Sequence, residues 1–194
     1  MPRAGLTSAA VVAAAADLAD REGFDVVTPA AVARAVGVRT PSLYAHVDGA
    51  EALRAGVQSL ALGEMADAAT RALAGRSGSA ALVALADAYR DYARAHPGRY
   101  AASRRRVDAD DTATVAAGRR HGELLGAVLA GYDIDGRERV HAVRLVGATV
   151  HGFVTLEATG GFEHSEPAPD ASWRRVVEAL DAALRAWSGP PPGQ

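Results

Sequence analysis

Cysteine is absent from the 194-residue chain, so neither a disulfide framework nor a thiolate metal site is possible. Lysine and asparagine are missing too, and all 21 basic residues are arginine. No folding argument requires that composition; it suits a gene from a GC-rich genome. Aromatic residues make up 5% of the chain, and isoleucine occurs once, at Ile134. The apolar half of the composition is therefore mostly alanine, leucine and valine, which favours helices over sheet. Long hydrophobic runs are lacking: the longest, Ala9–Ala16, is alanine-rich and far too short to span a bilayer. Arg3 precedes that run, but no leucine-rich core or cleavage site follows, so no signal peptide is expected and the protein should be cytoplasmic.

Catalytic signatures are lacking as well. The chain has no glycine-rich phosphate loop, nucleophile elbow or pair of carboxylates at catalytic spacing. His141 and His151 lie ten residues apart, about 280° round a helix, and cannot share a metal on one face. His121 and His164 have no carboxylate at ligand spacing. Asp110, Asp111, Asp133 and Asp135 read as loop or cap acids. No enzyme activity, metal or cofactor is expected. Nor is there a strong excess of either charge: the net charge is −2.

What is present is concentrated between Thr28 and Val47, TPAAVARAVGVRTPSLYAHV. Thr28-Pro29 and Thr40-Pro41 each offer a hydroxyl for an N-cap followed by proline, whose missing donor costs nothing at a first helical position. Gly37 stands between them, where one helix must end and the chain turn. Val32 and Val36 share a face of the first helix, and Leu43 and Val47 share a face of the second. Helices this short need a larger partner. With that seam buried, Arg39, Thr40, Pro41, Ser42, Tyr44 and His46 fall on or beside the outer surface. Arginine can read guanine bidentately, and hydroxyls and imidazole can reach bases or phosphates. From Met1 to Leu60 five arginines face six acids, but every one of those acids lies outside Pro29–Val47, which carries Arg34 and Arg39. The spacing predicts a helix-turn-helix with its second helix in a major groove; an ordinary helical hairpin with a polar face is the plainer alternative.

Gly23-Phe24, Thr28, Ala33, Gly37-Val38 and Pro41-Ser42-Leu43-Tyr44-Ala45-His46-Val47 resemble the N-terminal domain of the TetR family of one-component transcriptional regulators. The likeness covers roughly the first quarter of the chain, and Leu-Tyr-x-His is its specific core. Family members usually place a phosphate-holding lysine just after the recognition helix, where this sequence reads Asp48-Gly49-Ala50-Glu51. Arg39 and Tyr44 are the expected base-edge or groove contacts. Thr28, Thr40, Ser42 and His46 are expected to hold phosphates.

Elsewhere the periodicity predicts helices throughout, about nine in all. The first runs from about Thr7 to Glu22, with Val11, Ala15, Leu18 and Ala19 inward and Gly23 as its stop. A long helix follows from Ala50 to about Leu73, roughly 35 Å at the standard rise. Ser79–Ala95 turns Tyr89 and Tyr92 inward, and a helix reaching Ala130 carries Leu124, Leu125, Val128 and Leu129 on one face. Arg104-Arg105-Arg106 reads as a solvated run. Gly136 to about Ala158 is apolar nearly all round and is expected to be buried on every side, opened by a capping box of Asp135 and Glu138. Asp170 is expected to cap a last helix striped with Trp173, Val177, Leu180, Leu184 and Trp187. A buried helix followed by an amphipathic one suggests a four-helix, two-fold interface through Val150, Phe153, Val154, Trp173, Val177, Leu180 and Leu184.

The resemblance implies the same homodimer, a palindromic double-stranded operator and an effector pocket among the C-terminal helices. Tyr89, Tyr92, His151 and Thr155 could line that pocket, or simply pack and hydrogen-bond. Gly147–Phe162, GATVHGFVTLEATGGF, resembles the His-Gly helix of one TetR subgroup. The expectation is an all-α chain: a helix-turn-helix domain over 1–48, an effector-binding and dimerisation domain over 49–188, and a disordered proline-rich tail over 189–194. The expected function is that of an operator-binding regulator, most simply a repressor, released by a small, largely apolar effector. A helical small-molecule-binding protein without specific DNA binding is the alternative.

Overall fold

In the computed structural model, residues 6–187 are described; Arg3 and the tail from Gly189 to Gln194 lie outside them. Nine α-helices and one 3₁₀ turn are found among these residues, with no strand. The chain divides into two compact units, Met1–Met65 with Tyr92–Arg119, and Ala66–Asp91 with Arg120–Gln194. This division does not coincide with a break near Asp48. The helix-turn-helix segment lies wholly within the first unit, together with later segments of the chain.

The first unit opens with α1 (Ser8–Glu22), whose Thr7 cap accepts a bond from the Ala10 amide at 3.1 Å. Gly23 ends it at φ 93°, and a 3₁₀ turn, Phe24–Val26, leads to α2 (Pro29–Val36) and α3 (Thr40–Leu43). The long α4 (Gly49–Leu73) begins here, and α6 (Pro97–Ser103) packs on α1. Val11, Ala15, Leu18 and Ala19 form one core with Val27, Val32, Leu43, Val47, Leu53 and Val57. The inward stripes expected of α1, α2 and α3 are thus buried except at Val36, which is half-buried against this core, and α1 roofs the hairpin.

Gly98 permits backbone to meet backbone in this unit. A Cβ at that position would stand 2.0 Å from the Ala19 carbonyl oxygen. Polar bonds fix the contact. Asp20 accepts from the Arg99 amide at 2.9 Å and pairs with Arg99 Nε and His96 Nδ1, each at 3.1 Å. Arg99 also pairs with Asp17 and, at 3.3 Å, with Glu64 of α4.

The second unit holds α8 (Gly136–Ala158) and α9 (Pro169–Arg185), with the greater parts of α5 (Gly78–Ala95) and α7 (Thr112–Ala130). α8 departs from expectation. It buries Ala142, Val146, Val150, Phe153 and Val154, but Val140 and Leu156 are 48% and 52% exposed. The reason is geometric: α9 covers one side of the helix, and its stripe of Trp173, Val177, Leu180 and Leu184 is buried there. The seven residues expected to join two subunits are therefore consumed inside one subunit.

Three expected caps are also corrected. Arg39, not Thr40, occupies the N-cap of α3, and no side chain bonds there. Asp135 caps α8 without a side-chain bond, and Glu138, the other member of the expected capping box, accepts from the Trp187 indole at 2.9 Å. α9 begins at Pro169 after Ala168, which leaves Asp170 in the first turn, paired with Arg90 at 2.8 Å.

Candidate nucleic-acid interface

The hairpin is set by local chemistry. Thr28 Oγ1 accepts from the Ala31 amide at 3.2 Å, so its hydroxyl serves the cap of α2. Gly37 takes φ 72° and ψ 32°, and the next amide, Val38, reaches back to the Ala33 carbonyl at 2.9 Å, as in a Schellman ending. α3 is shorter than expected: regular helix stops at Leu43 and residues 44–46 are turns. The His46 amide bonds the Leu43 carbonyl at 2.8 Å, the tightened last turn common at helix ends, because the chain must reverse into Gly49 at φ 84°.

Burial of Leu43 and Val47 sorts the remaining side chains. Arg39, Pro41, Ser42 and Tyr44 are exposed, Tyr44 at 57%, while Thr40 and His46 are half-buried. Among the described residues no hydrogen bond or ion pair engages the side chains of Arg39, Ser42, Tyr44 or His46. An unpaired guanidinium, a hydroxyl and a phenol on one short convex element, with no acid among them, can together meet phosphates and base edges.

The acids that follow are not all free to repel a phosphate. Glu51 is paired with Arg105, which comes from the run that read as merely solvated. Arg105 also lies 5.9 Å over the Phe24 ring, and Arg54 lies 5.3 Å over it. Arg54 donates to the Val27 carbonyl at 3.1 Å and the Asp25 carbonyl at 2.8 Å, tying the chain before α2 to α4. Sequence spacing gave no sign of the Arg105–Glu51 pair, because its partners stand 54 positions apart.

The second unit shows how its polar residues are placed. Arg90, 5% exposed, makes two bonds to Glu157, at 2.9 and 2.5 Å, and lies 5.0 Å from the Trp173 ring and 5.5 Å from Phe153. Trp173 donates to Asp87 at 2.7 Å. Tyr89 is buried, and its hydroxyl bonds His121 Nδ1 at 2.6 Å while His151 stacks at 6.0 Å between centroids. Burial pushes the Tyr89 phenol well above its ordinary range. Tyr92 instead belongs to the first unit and donates to Glu64 at 2.8 Å; burial first, and then Glu64, push its phenol up. Thr155 is on the exposed side of α8 and lines no interior. Of the four residues expected at an effector pocket, the structure unites Tyr89 and His151, and adds His121. Among the described residues no group of three His, Asp or Glu could hold a metal.

Residues 82–180 match the family model described as the tetracycline repressor-like C-terminal domain. The HTH-type transcriptional regulator Rv0681 of Mycobacterium tuberculosis is 39% identical over 182 residues, covering 93% of this chain and 83% of its own. The chain belongs to the TetR family. YobS of Bacillus subtilis, also an HTH-type transcriptional regulator, is 34% identical over 96% of this chain and 93% of its own. Among solved structures, TetR-Q116A from Acinetobacter baumannii, in complex with minocycline, superposes with a TM-score of 0.72 at 21% identity, covering 94% of this chain and 98% of that one. A Rhodococcus protein of unknown function gives 0.73 at 22% identity, covering 96% and 97%. These likenesses establish the fold. This TetR-family chain is a helix-turn-helix transcriptional regulator and not an enzyme, and no described helix is long and apolar enough to cross a membrane.

Proposed function

We propose that this regulator binds a palindromic DNA operator as a homodimer and is released from it by a small organic effector, acting as a repressor in the cytoplasm. The observation that carries the proposal is the acid-free face of α3, where Arg39, Ser42 and Tyr44 are exposed and unengaged. Arg39 and Tyr44 are assigned to base edges or the groove wall. Thr40, Ser42 and His46 are assigned to phosphates, Pro41 to backbone contact, and Thr28 to positioning the hairpin. Residues 1–48 make the DNA-reading domain and 49–188 the effector-binding and dimerisation domain.

The pairing surface is assigned to what α8 and α9 leave uncovered. On α8 these residues are Val140, Ala148, Gly152 and Leu156; on α9 they are Ala179, Ala182 and Ala183. Small residues on both helices allow close approach, and Val140 and Leu156 supply apolar area to bury. A two-fold pair presents two recognition helices to half-sites one helical turn, or a multiple of it, apart.

Tyr89, His121 and His151, which meet in the second unit, are assigned to the polar part of the effector site; the Acinetobacter neighbour of the same fold is itself in complex with a small organic molecule, minocycline. Effector binding favours a dimer whose half-site spacing no longer fits the operator, and the shift is limited by the ligand's differential affinity for the two states. Selection of bound sequences from random duplex DNA tests the reading. An inverted repeat protected by a dimer is the expected outcome; recovery of no common sequence, with a normally folded protein, would remove operator binding and leave a ligand-binding helical protein.

A further inference from the structure

The first unit contains a cleft of about 670 Å³, apart from the Tyr89 cluster and lined wholly by residues of that unit. Its apolar wall comes from Val12 of α1 with Ala55, Gly56 and Leu60 of α4. Its volume falls in the range of small-molecule sites. Gln58 opens into it, although this residue is only 3% exposed. The Gln58 amide is held in one orientation: Nε2 donates to the Arg105 carbonyl at 2.9 Å, and a carbonyl can only accept. Oε1 is left as an acceptor that meets no donor among the described residues, yet it is not sealed within the protein.

We infer that this cleft is a second small-molecule site, taking a neutral, mostly apolar compound that carries one N–H or O–H donor for Gln58 Oε1. The charges at its rim favour a neutral ligand because they nearly balance, Arg105 and Arg106 standing with Glu51, Asp108 and Asp111. Glu51 is paired with Arg105, and Asp111 accepts from the amides of Ala113 and Thr114 at 3.2 Å each. A carboxylate would be set beside three acids and an ammonium beside two arginines, so neither charge is matched cleanly. The site lies on the joint of α1 with α4: a Cβ on Gly56 would stand 2.7 Å from Val12 Cγ2. A bound molecule therefore touches the helix that roofs the hairpin and the helix that leaves it. The site stands apart from the operator reading and is tested without DNA.

Indole and benzofuran are the probes, being nearly the same in shape, with and without an N–H donor. Full-length protein is titrated with each while amide spectra are recorded by NMR. Indole is expected to shift the Gln58 side-chain amide and backbone amides around Val12, Ala55 and Leu60. Benzofuran is expected to bind about three- to tenfold more weakly, the worth of one neutral hydrogen bond. Gln58→Met should erase that preference, and Ala55→Leu, which fills the cleft and leaves Gln58 alone, should abolish binding of both. Should Gln58→Met fail to fold, Ala55→Leu still decides. Equal binding of the two probes, no binding, or shifts confined to residues 120–187 overturns the inference. So does indole binding that emerges only after removal of residues 1–5, which would make the cleft a seat for the chain's own N-terminus.

Discussion

Gly98→Ala tests the contact that holds α6 against α1. The added Cβ would lie 2.0 Å from the Ala19 oxygen, 2.1 Å from its carbonyl carbon and 2.6 Å from the Asp20 nitrogen. All three are backbone atoms, so no side chain can swing away. Restoring ordinary contact distances requires the two helices to part by about 1.5 Å. A bond such as Asp20 Oδ1 to the Arg99 amide, now 2.9 Å, would then be stretched beyond hydrogen-bonding range. Overpacking strain with the loss of one or two such bonds amounts to about 2–4 kcal/mol, or roughly 5–15 °C in Tm for a chain of this size. The sign discriminates, because alanine in a helix otherwise gains up to about 1 kcal/mol over glycine. Gly118→Ala in α7, where nothing lies within 4 Å of the new atom, is the matched control and should raise Tm. Thermal denaturation at one fixed protein concentration reads both. Equal or raised Tm for Gly98→Ala would refute the backbone contact.

Other outcomes follow from single sites. Arg90→Met removes the paired guanidinium from Glu157, whose side chain is 14% exposed, and from Asp170, and should cost about 3 kcal/mol in urea unfolding. Adding Glu157→Leu should recover part of that loss, and no recovery would contradict the pairing. Asp111→Ala should cost about 1 kcal/mol as the loss of a helix cap. The Thr114 hydroxyl, and then the Thr114 amide, hold the Asp111 carboxyl below its ordinary value of 3.8. Its contribution is therefore complete above that value and fades as pH falls below it. The gap between wild type and Asp111→Ala should narrow as pH falls below 3.8, and a gap that widens with acid would exclude the carboxylate as its source.

The helices were legible because short-range rules made them. Thr28-Pro29 and Gly37 start and stop α2 through bonds no more than five residues long, and the apolar stripes of α1, α2 and α9 repeat at helical spacing. The exposed face of α3 followed from that seam. Periodicity could not say which partner covers an apolar face. α8 carries apolar residues all round, and α9 of the same chain takes the side that looked intermolecular, leaving Val140 and Leu156 uncovered. Long-range polar pairs were likewise out of reach. Arg105 with Glu51 and Arg90 with Glu157 join positions 54 and 67 apart, and no local pattern marks them. At two expected caps long-range partners are found as well: Trp187 engages Glu138, and Arg90 engages Asp170.

The central claim, that the exposed face of α3 reads DNA, is tested most directly by fluorescence anisotropy on duplex DNA from upstream of the gene. Wild type and Arg39→Ala are compared at two salt concentrations with unlabelled competitor. Specific binding that weakens with salt, and that Arg39→Ala weakens by about 1–3 kcal/mol, is the predicted result. Binding of equal strength by Arg39→Ala, at the same specificity and salt dependence, would contradict the assignment of this face to DNA.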